Sequence, residues 1–127
     1  AEDGVVMMLG EKKLRKGRVV YTTDAAPIMI DNRVMVPIRT VTEAFNGVAE
    51  WNATAQRVTL CFDDREISMT IGSTQACIET TMEKDVELDV APQICDGRTY
   101  VPIRFVAEAL DAQVQWNGED KAILITK

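Results

Sequence analysis

The residues of this chain best suited to chemistry or recognition are three cysteines (Cys61, Cys77, Cys95), six methionines and two tryptophans, Trp51 and Trp116. Thiolates and thioethers are the ligands copper(I) prefers, so a soft-metal site without histidine is chemically feasible. The spacing gives that idea little support. No Cys-x-x-Cys occurs, and the methionines show no tighter grouping than the adjacent Met7 and Met8. Methionine and free cysteine serve equally well as core filler. Three cysteines permit one disulfide with a free thiol, or three reduced thiols. Trp51 and Trp116 suit two readings. Exposed, they would stack on sugar rings and hold a polysaccharide; buried, each would close the core at a strand end. Alternation with Val48 and Val114 favours burial.

Acid–base and nucleophilic chemistry have fewer candidates. The chain contains no histidine, which removes the commonest general base, the serine and cysteine triads built on it, and the usual ligand of zinc and copper(II). Asp63 and Asp64 are adjacent in a turn, where their carboxylates point apart into water. Neither a glycosidase carboxylate pair nor a phosphate-binding loop is present. The expectation is a protein that is not an enzyme and needs no cofactor. Arg39–Glu43 and Arg104–Glu108 stand at i, i+4 and read as helix-surface ion pairs, or as arginines tying a helix start to a neighbouring turn.

The elements that carry these residues follow from composition and pattern. The chain has 127 residues, a net charge of −6, 46% hydrophobic and 27% charged residues. That suits one compact domain or two small interlocked ones. An acidic balance argues against nucleic acid as a partner. No apolar run approaches the ~20 residues of a membrane span and no leader opens the chain, so membrane insertion is not expected.

Self-comparison reveals a repeat at an offset of 65 residues. Asp31-Asn32-Arg33-Val34-Met35-Val36-Pro37-Ile38-Arg39 lies over Asp96-Gly97-Arg98-Thr99-Tyr100-Val101-Pro102-Ile103-Arg104, and the match runs on through Trp51-Asn52 over Trp116-Asn117. Eleven of the thirty positions from 31 to 60 equal their partners. The predicted copies are 1–60 and 61–127, each one supersecondary unit. Asp31-Asn32 and Asp96-Gly97 tolerate positive φ and predict tight turns. Ile38, Val41 and Phe45, like Ile103, Val106 and Leu110, space an apolar stripe for a two-turn helix. Pro37 and Pro102 fit the start of each helix, where a missing N–H costs nothing. Val86, Leu88 and Val90 alternate as a strand ended by Pro92, Ile67, Met69 and Ile71 form another, and Val5, Met7 and Leu9 a weaker one. No Ser/Gly linker separates the copies, so they are expected to share sheets. The fold class is α+β: two interlocked repeats, each an antiparallel β-sheet packed around a short amphipathic helix.

The repeated Val-Pro-Ile-Arg, each followed by a valine, a Glu-Ala pair and a Trp-Asn pair, with Thr70-Ile71-Gly72-Ser73 between copies, resembles the copper amine oxidase N-terminal "stalk" domain family. The resemblance covers nearly the whole chain. It implies an antiparallel sheet twisted around a helix, and an accessory module that carries neither the copper nor the quinone of the oxidase. It also implies a secreted or surface-attached protein of Gram-positive bacteria, often anaerobes. Asn46-Gly47 places a glycine one position late and Asp111-Ala112 has none, which touches only the helix C-cap.

The two copies differ in charge. Residues 1–60 carry eight basic and seven acidic side chains, net +1, while 61–127 carry six and thirteen, net −7. Lys12, Lys13, Arg15, Lys16 and Arg18 make the first copy's basic segment, read as a solvated turn that also attracts the acidic copy of another molecule. The functional expectation is a non-catalytic extracellular stalk, spacer or assembly module of a bacterial cell-surface protein. Its expected partners are neighbouring modules of the same or a like protein, or cell-wall components, with weak homo-oligomerisation. The competing expectation is a polysaccharide-binding module using Trp51 and Trp116.

Overall fold

The computed structural model describes residues 4–126. Two-residue turns organise it. Asp31 and Asn32 (φ 50° and 64°), like Asp96 and Gly97 (φ 53° and 76°), adopt the left-handed backbone that a tight hairpin twist requires. The first turn joins β4 (Ile28–Ile30) to β5 (Arg33–Pro37), and the second joins β11 (Gln93–Cys95) to β12 (Arg98–Pro102). Each hairpin runs directly into a helix, α1 (Ile38–Phe45) or α2 (Ile103–Ala109), with Pro37 or Pro102 in extended conformation at the N-cap. Proline at a strand's end and a helix's threshold loses no ladder or helix bond.

After α1 the chain forms a meander of β6 (Val48–Asn52), β7 (Arg57–Phe62), β8 (Arg65–Thr70), β9 (Gln75–Glu79) and β10 (Glu83–Glu87). After α2 come β13 (Gln113–Asn117) and β14 (Ala122–Thr126), and before β4 come β1 (Val5–Met8), β2 (Lys13–Lys16) and β3 (Val19–Thr22). A first five-stranded sheet has the order β13-β14-β1-β2-β3, a second has β10-β9-β8-β7-β6, and a four-stranded central sheet has β11-β12-β5-β4. The two outer sheets thus share one plan. The first draws its strands from both ends of the chain.

The central sheet is closed by β5 against β12, antiparallel, with Val36 opposite Val101, Pro37 opposite Tyr100 and Met35 opposite Pro102. Val36 and Val101 are equivalent at the 65-residue offset, so a local two-fold axis passes between them. Both are fully buried, and both belong to a core that also takes Val41 and Val106 from the helices and Leu60, Ile67, Met7, Ile123 and Ile125 from the outer sheets. A satellite core holds Ala25, Met35, Val90 and Tyr100. Two ion pairs repeat the axis: Arg33 reaches Asp89 at 3.2 Å and Arg98 reaches Asp24 at 3.3 Å. All four side chains are partly exposed, so each pair adds about 0.2–1 kcal/mol.

Two local expectations are corrected. The alternation at Val86, Leu88 and Val90 is not one strand: β10 ends at Glu87, and Leu88 turns inward into the main core while Val90 enters the satellite core. Burial of a linker mimics a strand's period here. The basic segment is a solvated turn only at Gly17 and Arg18, between β2 and β3. Lys13–Lys16 is a strand with a neighbour on each side, Leu14 is fully buried, and Lys13 and Arg15 point outward.

The glycine after α1 has a steric reason rather than a dihedral one. Asn46 itself takes the left-handed cap (φ 59°), as Asp111 does after α2 (φ 61°). A Cβ at Gly47 would collide with the Phe62 ring.

Val36→Asp or Val101→Asp places an unpaired carboxylate on the axis. The cost of several kcal/mol consumes most of a typical ~5–15 kcal/mol stability. The expected outcome is loss of cooperative thermal unfolding by circular dichroism; a melting temperature within a few degrees of wild type contradicts the packing described.

Candidate binding surfaces

Trp51 and Trp116 are not core closers. The indoles are 45% and 44% exposed, because β6 and β13 are edge strands of the outer sheets and no further strand covers them. Asn52 and Asn117 shape the turns that follow: Asn52 Oδ1 accepts from the Ala55 N–H at 3.0 Å, and Asn117 Oδ1 from those of Glu119 and Asp120 at 3.1 and 3.2 Å.

Trp116 borders a groove of about 200 Å³ floored by Ile103, Val114 and Ile123, with Arg104, Asn32 and the exposed Met29 at its rim. The equivalent hollow of the first copy, about 380 Å³, lies between Ile38, Arg39, Gly97 and Thr99, with Asp24 inside it. Arg39 and Arg104 therefore line equivalent grooves. The expected pairs Arg39–Glu43 and Arg104–Glu108 do not form within 4 Å; the ion pairs among the described residues lie elsewhere. Arginine N-terminal to glutamate is the weaker i, i+4 order, and a cation at a helix start opposes the helix dipole.

The outer faces of the two equivalent sheets differ in charge. On the first sheet Val6 and Leu124 are neighbours, flanked by Lys13, Arg15 and Gln115. Val6, Arg15, Gln115 and Leu124 border an open hollow of about 1040 Å³ that also takes in Trp116. On the second sheet Glu66, Glu79 and Glu83 stand directly opposite one another on β8, β9 and β10. Asp85, across from Cys77, adds a further carboxylate. Like charges facing across strands destabilise a sheet, so this face is held by its inner, apolar side.

Arg65 is a residue the sequence did not flag. Its Nη1 donates to the Ala109 carbonyl at 2.6 Å and Nη2 lies 3.4 Å from Asp111, which ties β8 to the C-terminal end of α2. A cation there satisfies an orphan carbonyl and complements the dipole. The adjacent Asp64 also pairs with Arg65, at 3.0 Å, but spacing carried no hint of the tie to α2, because Ala109 and Asp111 are far from Arg65 in sequence.

The three cysteines are free. Cys61 lies on β7 and Cys77 on β9, with β8 between them and a two-residue offset along the strands, so their backbones stand ~11–12 Å apart, beyond the ~7 Å a disulfide spans. Cys95 sits in the central sheet. Partial burial, then the carboxylates of Glu50 and Glu66, push the Cys61 thiol above its usual range. Burial, then Glu83 and Asp85, do the same for Cys77, whose Sγ lies 3.6 Å from the Glu83 carboxylate.

Comparison with known proteins yields one family model: the copper amine oxidase N-terminal domain matches residues 14–125. No curated protein and no solved structure matches the chain significantly. The family's name raises the question of copper, and the donor set does not fit a histidine-ligated copper centre. The chain has no histidine. No group of three or more histidine, cysteine, aspartate or glutamate side chains converges among the described residues. Tyr100 is buried with its hydroxyl directed at the Ala26 carbonyl, 3.4 Å away, and Tyr21 lies exposed on an edge strand. Met7, Met35 and Met69 are buried in the cores.

Alkylation proceeds through the thiolate, so raised thiol pKa values slow it. At pH 8, Cys61 and Cys77 should be labelled by iodoacetamide more slowly than a small-molecule thiol, and the lag should close as the pH rises well above the usual thiol range. Peptide-resolved mass spectrometry measures this; labelling as fast as the free thiol at pH 8 contradicts the electrostatic reading.

Proposed function

Since the chain belongs to the copper amine oxidase N-terminal domain family, a non-catalytic domain, we propose that it is a non-catalytic extracellular module of a bacterial cell-surface protein, working as an assembly unit. In this reading residues 1–60 and 61–127 are two interlocked copies that act as one body, and the partners are neighbouring modules or cell-wall components. One observation carries it: two outer sheets of the same strand order present outer faces of opposite character, apolar and basic on one and acidic on the other. Such a contrast steers association and sets the order of contacts more than it adds affinity.

Exposure of both indoles supports a second reading, in which Trp51 and Trp116 hold polysaccharide. An indole face takes the C–H face of a sugar ring through apolar contact. Surface plasmon resonance on the immobilised chain separates the two. The assembly reading expects a like module to bind in a salt-sensitive manner, unaffected by Trp51→Ala and Trp116→Ala. The polysaccharide reading expects a cell-wall glycan to bind and at least tenfold weaker binding after those changes. Retention of neither contradicts both.

A further inference from the structure

β3 is an edge strand without a guard. It ends the first sheet, and Val19, Val20 and Tyr21 are 52%, 59% and 44% exposed. An edge presents unpaired N–H and C=O groups, which proteins shield with charge, proline or a bulge. The four residues of β3, Val-Val-Tyr-Thr, contain none of these and favour strand formation. β10 ends the second sheet at the equivalent place and reads Glu-Lys-Asp-Val-Glu, a charged edge. One scaffold position is thus charged in one copy and uncharged in the other.

We propose that β3 of one molecule adds to β10 of a second copy of this chain, joining the first sheet of one to the second sheet of the next. The proposal rests on the assembly reading and names its contact. Charge selects the pairing. An edge made of β3 with β3 would set Arg18 of each copy beside the same basic stretch of the other, and β10 with β10 would oppose carboxylates to carboxylates. Joining β3 to β10 brings Arg15, across from Val20, and Arg18, just before Val19, toward Glu83, Asp85 and the neighbouring Glu79. Main-chain hydrogen bonds hold such an added strand, and Val20 and Tyr21 leave water as it forms. Two different edges meet, so the contact does not close on itself, and molecules add head to tail into rings or open chains.

Sedimentation velocity over a concentration series at low and high salt tests this. The wild-type chain should form species larger than dimers at low salt that dissociate at high salt. Arg15→Glu with Arg18→Glu, and separately Glu83→Lys with Asp85→Lys, should each sediment as monomers. An equimolar mixture of the two variants should regain association, which a misfolded variant could not do. Wild-type association that survives both reversals overturns the β3–β10 contact and leaves the assembly reading standing on another face. A wild-type chain that stays monomeric at low salt, and that binds no like module on the sensor surface, overturns the reading itself.

Discussion

The antiparallel contact of β5 with β12 is the constraint on which the rest of the molecule depends. Val36 opposite Val101 fixes the register. A one-residue slip would turn both valines out of the core and carry the helices with them. Because each strand continues through a proline into its helix, the same contact also sets where α1 and α2 lie. The reciprocal pairs Arg33–Asp89 and Arg98–Asp24 follow from the axis rather than create it: they are exposed and individually weak. A buried apolar junction of two strands therefore governs the placement of everything peripheral.

Given that junction, the outer sheets have one plan and are free to differ in surface. Their inner rows stay apolar in both, with Leu14 and Met7 in one and Leu60 and Ile67 in the other. Their outer rows and edges diverge, because solvent-facing positions carry little folding energy. The pairing of β1 with β14, Val5 across from Ile125, also brings both ends of the described chain to one sheet.

Much of this was legible in the sequence, and what was not has identifiable causes. The two tight turns and the apolar stripes of the helices were readable because each is local, set by turn chemistry or a 3.6-residue period. The exposure of Trp51 and Trp116 was not. Alternation says that a residue shares a side with its neighbours, but not whether another strand covers the end of that row, and β6 and β13 are edges. The strand at Lys13–Lys16 was hidden because one buried residue, Leu14, sits among four bases. The tie from Arg65 to α2 and the reciprocal ion pairs were invisible because those partners meet only through the tertiary fold. The divergent charge of the two copies was plain in the counts, yet its sorting onto two equivalent sheets required the strand order.

Amide hydrogen exchange under native conditions tests the central constraint most directly, since local openings spare the structure that only global unfolding exposes. The hydrogen-bonded amides of β5 and β12 should be among the last to exchange, at the rate of global unfolding, well after those of the edge strands β3, β6, β10 and β13. Exchange in β5 and β12 as fast as in those edges would mean that the halves part while the outer sheets persist, and that the two-fold junction does not hold the fold together.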